Sequence, residues 1–173
     1  EVELAGAVLD ADVPVIAAAA GHAVGGGLVL AAACDVTILA RESRYGATFT
    51  RLGITPGMGC TALLEELVGP ALAREMMYTG RSWRGTELLR RGAPGIRVLP
   101  RDAVVAAAMD VARDMCGSTP RVSRLLKRTL AVARRERVDA ALALERAAHR
   151  EILEHPETAQ VIRERVLLAE PVA

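Results

Sequence analysis

The sequence predicts an α/β core followed by an all-helical region. Two observations predict it. Up to about residue 100, short apolar runs bounded by glycine or proline alternate with segments of helical periodicity. Beyond that point the apolar residues recur only at three- and four-residue spacing. The boundaries read as a core over residues 1–100 and a C-terminal helical region over 101–173. A chain of 173 residues with 51% hydrophobic and 25% charged side chains suits one domain with a real core.

Taken in order, residues 1–12 read as a helix end or loop. Val13 to Ala18 is an apolar run read as a buried strand, and Gly21 to Gly27 reads as a loop. Leu28 to Cys34 is rich in leucine and alanine and predicts a buried helix. Val36 to Leu39 is largely β-branched and predicts a second strand. Arg41 to Ser43 is a turn, Tyr45-Gly46 opens a further extended piece, and Thr55 to Gly59 is a tight turn. Helices follow over 62–68, ended by Gly69-Pro70, over 72–78, and over 85–90, stopped at Gly92. Val98 to Pro100 is a short strand. The remainder predicts four helices, over 101–116, 120–135, 138–154 and 156–169, with breaks at Pro120 and Pro156.

Several function classes are excluded. A net charge of +1 and an aromatic content of 2% provide neither the electrostatic footprint nor the stacking platform of a nucleic-acid binder. Val13 to Cys34 has only His22 as a polar residue, yet Pro14 and the Gly25-Gly26-Gly27 triplet divide it, so no membrane span is expected. Cys34, Cys60 and Cys116 are odd in number and widely spaced. They read as reduced, buried thiols of a cytoplasmic protein, and no signal sequence is visible. His22, His149 and His155 show no metal-ligand spacing, so no metal is expected. His22 reads as a core histidine and His155 as a helix-end surface residue.

A strand, a glycine-rich loop and a helix start form a recognisable constellation. Amides at a helix start lack intrahelical acceptors and carry the positive end of the helix dipole. Glycine there lets a ligand approach the backbone closely. Further along, Val138, Leu142, Glu145, His149 and Ile152 share one helix face. Glu145 and His149 are four apart, which predicts that the carboxylate orients the imidazole.

The segment from Pro14 through Gly25-Gly26-Gly27 to Cys34-Asp35 resembles the crotonase (enoyl-CoA hydratase/isomerase) superfamily. So do Arg44-Tyr45-Gly46, Leu52 to Gly59, Tyr78 to Arg81 and the helix bearing Leu126-Lys127. The resemblance implies a crotonase-like spiral core, C-terminal helices that pack between subunits, and a homotrimer or dimer of trimers. It implies an oxyanion-stabilising amide at Gly26, with Gly25, Gly27, Val29, Phe49, Gly57 and Met58 around the substrate. In hydratases of the family two glutamates perform the acid–base work. Here their positions hold Val29 and Phe49, so hydration is not expected.

Glu42 to Tyr45, Thr55 to Gly59, Glu75 to Arg81 and the block around His149 are most similar to the decarboxylating homologues of polyketide β-branching. That likeness implies decarboxylation of a methylglutaconyl-type thioester on an acyl carrier protein or coenzyme A. His149 would sit near the substrate carboxylate. No cofactor is implied beyond the substrate's phosphopantetheine or coenzyme A carrier.

The family's first third, with the second oxyanion donor and the subgroup's Tyr and Lys, has no counterpart here, so the sequence reads as a fragment. Lys127, the only lysine, reads with Arg124 and Arg128 as a phosphate contact or a solvated residue. Two alternatives stay open. One is an enoyl-thioester isomerase using Glu65 or Glu66, both of which read as solvated. The other is a non-catalytic binding protein or truncated pseudoenzyme.

Overall fold

A computed structural model describes residues 4–167. Helix α1 (Leu4–Leu9) leads to strand β1 (Ile16–Ala19) and the two-residue strand β2 (Ala23–Val24). Helix α2 (Gly26–Ala33) crosses to strand β3 (Val36–Ala40), and strand β4 (Arg44–Gly46) follows. Next come helix α3 (Cys60–Val68), helix α4 (Pro70–Thr79), strand β5 (Ser82–Arg84), helix α5 (Gly85–Arg90) and strand β6 (Arg97–Leu99). Helices α6 (Val104–Met115), α7 (Pro120–Glu154) and α8 (Thr158–Leu167) complete the described chain.

Two small sheets organise these elements. The first, ordered β1-β3-β6, is parallel throughout; Ile16 faces Val36, and Ile38 faces Arg97. A parallel pair needs a crossover connection, and α2 is the crossover between β1 and β3. In the second sheet β4 pairs parallel with β2 and antiparallel with β5. Tyr45, on β4, is fully enclosed and ties the two sheets together. Its hydroxyl donates to the Ala19 carbonyl and accepts the Ala40 N–H, both at 2.8 Å. The main core gathers Leu28, Val29, Leu39, Leu63, Leu64 and Met76 between α2, α3, α4 and the sheets.

Several expected elements change. The expected strand from Val13 begins only at Ile16 and is half-buried, because in the first sheet only β3 has neighbours on both edges. The expected loop over 21–27 holds β2, and the helix starts at Gly26 rather than Leu28. Residues 48–52, read as extended, form a 3₁₀ turn. A second 3₁₀ turn, 101–103, opens the helix expected over 101–116. Strand β5 has no counterpart among the expected elements, because three residues, though polar–apolar–polar, are too short for alternation to mark a strand.

The two helices expected over 120–135 and 138–154 are one helix of 35 residues. The Arg134 to Arg137 run interrupts the apolar stripe without breaking the backbone. It contains neither glycine nor proline, and Arg135 pairs with Asp139 one turn on, at 2.9 Å. Arg134 reaches the carbonyls of Ala32, Ala33 (2.8 Å) and Cys34 at the end of α2. There the guanidinium satisfies carbonyls that a helix C-terminus leaves open. Residues 168–169 of the last expected helix lie outside the described residues.

Lys127 is neither solvated nor a phosphate contact. Its side chain is 2% exposed, and its ammonium donates to both Asp35 oxygens, at 2.7 and 2.9 Å, and to the Val8 carbonyl at 3.1 Å. Asp35 also accepts the Val15 N–H at 2.7 Å. This pair clamps α7 to the α2–β3 junction. His22 is exposed rather than in the core, and its Nδ1 accepts the Arg44 N–H at 2.8 Å. Cys34 and Cys60 are buried as expected, whereas Cys116, one residue past the end of α6, is exposed. Among the described residues no helix is long and apolar enough to cross a membrane.

Removing Asp35 strands a buried ammonium. Asp35→Ala is expected to lower stability by about 3–5 kcal/mol. By contrast Arg113→Ala, at an exposed pair, should change it by under about 0.5 kcal/mol. Urea midpoints at unchanged slope check both.

Burial pushes the Cys60 thiol well above its ordinary value of 9.0, with a further push from the nearby Glu145 charge. Burial also raises Cys34, with Asp35 adding to it. Above pH 9 the unfolded chain has released these protons while the folded chain still holds them. Stability therefore falls as pH rises, by up to roughly 1.4 kcal/mol per pH unit for Cys60, with Cys34 adding in the same direction. Urea titrations between pH 8 and 10.5 should show this decline, and Cys60→Ala should lessen its slope.

Candidate functional site

A cavity of about 710 Å³ opens between α1, the 3₁₀ turn at 48–52, the 54–58 turn and the second half of α7. Leu4, Phe49, Ile54, Met58, Leu142 and Leu153 supply apolar walls. Glu145, Arg146, His149, Arg150 and Glu154 place charge and hydrogen-bonding capacity along one side, all from α7. An apolar cavity with a few convergent polar groups is the usual form of a small-molecule site.

The second half of α7 is positioned by one buried carboxylate. Glu145 is 5% exposed and sits on the inward stripe with Val138, Ala141 and Leu142. Its Oε2 accepts the Gly59 N–H at 2.7 Å, and its Oε1 accepts the Thr61 N–H and hydroxyl, both at 2.7 Å. Gly59 caps the start of α3, so an anion from a distant helix satisfies amides that α3 cannot satisfy itself. Gly59 has φ +79°, and a β-carbon there would stand 2.8 Å from Val138. Glycine thus permits both the turn and the close approach of α7.

The expectation that Glu145 orients His149 is corrected by this geometry. Both carboxylate oxygens are engaged by Gly59 and Thr61 instead. The partner of His149 is Thr55, with Oγ1 and Nδ1 3.1 Å apart; which of the two donates depends on the imidazole tautomer. A β-carbon on Gly57 would lie 3.9 Å from Cε1 of the ring, so the turn packs directly against the imidazole. The sequence places Thr55 in the turn but assigns it no role. Its hydroxyl partner lies 94 residues away, beyond any local pattern.

The glycine triplet lies behind the cavity wall formed by Phe49 and Met58. Gly25 has φ +55° and ψ −126°, a conformation that side chains rarely adopt, and its N–H donates to the Gly46 carbonyl at 2.8 Å. The Gly25 carbonyl accepts from Leu28 and Val29, which starts α2. The amides of Gly26 and Gly27 have no acceptor among the described residues and stand at the positive end of α2. A β-carbon on Gly26 would lie 3.1 Å from Met58 Sδ, so Met58 joins the cavity to the Gly26 amide.

Of the residues singled out in the sequence, His149, Phe49, Gly57 and Met58 line the cavity. Gly25, Gly26 and Gly27 lie beyond Met58. Val29 is fully enclosed in the main core, one turn into α2, with no surface of its own. Sequence reasoning missed Ile54, Arg146, Arg150 and the α1 residues Leu4, Ala5 and Gly6. For Arg146 the three-residue spacing before His149 was an available signal; Arg150, next to His149 in the chain, offered none. Glu65 and Glu66 stay outside the cavity, paired with Arg74 and with Arg134 and Arg137. No group of three or more metal-ligating side chains occurs among the described residues.

Comparison with known proteins adds the following. The family described as enoyl-CoA hydratase/isomerase matches residues 2–165. The chain is 38% identical over 156 residues to the bacillaene synthase decarboxylase PksI of Bacillus subtilis, covering 90% of this chain and 62% of that protein. It is 35% identical over 135 residues to the short-chain-enoyl-CoA hydratase of Clostridium acetobutylicum, covering 78% and 51%. Among solved structures, the ECH2 decarboxylase domain of CurF from Lyngbya majuscula superposes with a TM-score of 0.87 at 34% identity, over 93% of this chain and 66% of that one. A structure described as a dehydratase/decarboxylase enzyme couple involved in polyketide beta-branching gives 0.88 at 35% identity, over 93% and 66%. The fold is therefore the crotonase fold, and the chain spans less than two thirds of the length of these relatives.

Because Glu145 holds a buried turn, Glu145→Ala leaves the Gly59 amide without its acceptor. A loss of roughly 3 kcal/mol is expected, against about 0.5 kcal/mol for Glu65→Ala at an exposed pair. Equilibrium unfolding in urea compares the two.

Proposed function

The chain belongs to the enoyl-CoA hydratase/isomerase family, and we propose that, within the intact protein, it decarboxylates a glutaconyl-type acyl thioester. The observation that carries this reading is the character of the cavity. Where a hydratase of the family would set an acid, Phe49 supplies an apolar wall, and His149 on α7 is a group in the lining able to move a proton. Similarity to two decarboxylases associated with polyketide synthesis supports the same choice.

The chemistry follows from the arrangement. In a thioester bearing a carboxylate on the carbon beyond the double bond, the carbon–carbon bond to the carboxylate breaks and carbon dioxide leaves. The electron pair moves through the double bond onto the thioester oxygen, giving a dienolate. A hydrogen-bond donor placed where that charge develops lowers the barrier, and the free Gly26 amide at the head of α2 is the donor in this reading. An apolar cavity favours the step, because the charge it spreads was concentrated on a carboxylate. A proton from the His149 imidazole then quenches the carbanion, and solvent returns it. Thr55 holds the ring for that transfer.

The isomerase alternative gains no support from Glu65 or Glu66, whose carboxylates are paired with arginines away from the cavity. Glu145 lies in the cavity wall, but its two oxygens already accept three hydrogen bonds.

His149→Ala is expected to lower kcat for methylglutaconyl-carrier protein by roughly 10²- to 10⁴-fold, the range for loss of a proton donor, with folding retained. Mass change of the loaded carrier measures it. A wild-type protein that releases no carbon dioxide removes the decarboxylase reading; a His149→Ala variant equal to wild type removes the assignment of the residue. Hydration of crotonyl-CoA should be absent in either protein.

A further inference from the structure

Arg150 lines the cavity immediately after His149 in the chain. It shares the lining with apolar side chains, Leu4, Ile54 and Leu153 among them. The residue is exposed, and its guanidinium makes no hydrogen bond or ion pair among the described residues. Glu154, one turn on at the end of α7, does not close on it. Arg146, one turn before it, already has an interaction of its own. Glu145 has both oxygens engaged by Gly59 and Thr61. A planar guanidinium presents a fixed fork of N–H donors that matches a carboxylate or a phosphate. Beside apolar walls such a pair is screened less than in open water.

Reach decides which anion it takes. A carrier-bound dicarboxylic acyl chain brings a carboxylate at its acyl end and a phosphate at its carrier end. The whole pantetheine arm separates the two. The Cα atoms of His149 and Arg150, by contrast, are only about 3.8 Å apart. With the acyl end beside His149, the carboxylate is the anion within reach of Arg150. Resting on the functional reading above, we infer that Arg150 is a specificity-determining residue: it holds the acyl carboxylate and selects thioesters of dicarboxylic acids over those of monocarboxylic acids.

This contact binds substrate and moves no proton. The guanidinium stays protonated throughout, so His149 remains the proton source. The ion pair is complete in the bound substrate and dissolves as carbon dioxide leaves uncharged. It is therefore stronger in the ground state than in the transition state. An interaction of that kind lowers KM and does not raise kcat.

The test uses the intact protein and pantetheine thioesters of glutarate and of its terminal amide, which differ in charge and hardly in shape. Both are saturated, so calorimetry reports binding without chemistry. Wild type should bind the acid roughly tenfold or more tightly than the amide, the scale of one charge-assisted pair. Arg150→Gln should abolish that preference and leave the affinity for the amide unchanged. Arg150→Lys, which keeps the charge without the fork, should retain part of it. With the unsaturated methylglutaconyl thioester, Arg150→Gln should raise KM by roughly tenfold with kcat equal to or above that of wild type. The urea midpoint should not move, since the side chain is exposed.

An acid preference absent from wild type, or unchanged in Arg150→Gln, overturns the inference. So does a fall in kcat with KM unchanged, which would give Arg150 a part in the chemical step. Repeating the comparison with phosphopantetheine thioesters separates the two anions. A loss in Arg150→Gln confined to those thioesters, for acid and amide alike, would assign the guanidinium to the phosphate and overturn it too. If wild type prefers the acid through Arg150 but releases no carbon dioxide, the decarboxylase reading falls and the role of Arg150 stands. If wild type binds neither thioester, both fall.

Discussion

The site depends on one buried carboxylate. Glu145 projects from the middle of a 35-residue helix into the start of another, and its three hydrogen bonds at 2.7 Å join segments more than eighty residues apart. Without that anion the Gly59 amide would be a buried donor, and the Thr61 amide a partly buried one, at the positive end of α3, an arrangement that costs free energy until an acceptor arrives. With it, α7 is fixed in rotation against the 54–59 turn. His149, one turn along α7, therefore falls beside Thr55 and Gly57 rather than facing solvent. The same anchor holds Met58 in a left-handed backbone, at φ +66°, and carries the thioether to the head of α2.

Three further contacts keep α7 where Glu145 can act. The Lys127–Asp35 pair and the Arg134 contacts to the last carbonyls of α2 pin the N-terminal half of α7 to the α2–β3 junction. Val138, packed against Gly59, continues the attachment. The helix that begins at Gly26 is thus held at its far end by the helix that carries His149. One rigid frame sets the distance between the Gly26 amide and the His149 ring. Preorganisation of this kind is what electrostatic stabilisation of a developing enolate requires, since donors that must first reorganise lose their advantage.

Much of the frame was legible in the sequence. β-Branched residues from Val36 to Leu39 marked the central strand, and glycine after glycine marked the loop that opens α2. The stripe from Val138 to Ile152 placed Glu145 and His149 on one inward face. Where reading failed, the local signal was weak or pointed elsewhere. The helices expected over 120–135 and 138–154 left a gap within the charged Arg134 to Arg137 run, yet the partners of those side chains lie on α2, on α3 and just past the end of α1. Lys127 looked like a surface residue because lysine usually is one, and Asp35 lies 92 positions before it.

By itself, then, the sequence determined most of the longer elements, their inward faces and the residue types available for chemistry, because periodicity and glycine placement act within one or two turns of the chain. Only the tertiary structure decided which groups meet. It gave Glu145 to Gly59 and Thr61 instead of His149, gave His149 to Thr55, and enclosed Val29 while leaving Phe49 in the cavity wall. Those pairings are settled where distant segments pack and each buried donor must find an acceptor, a requirement that no local pattern encodes.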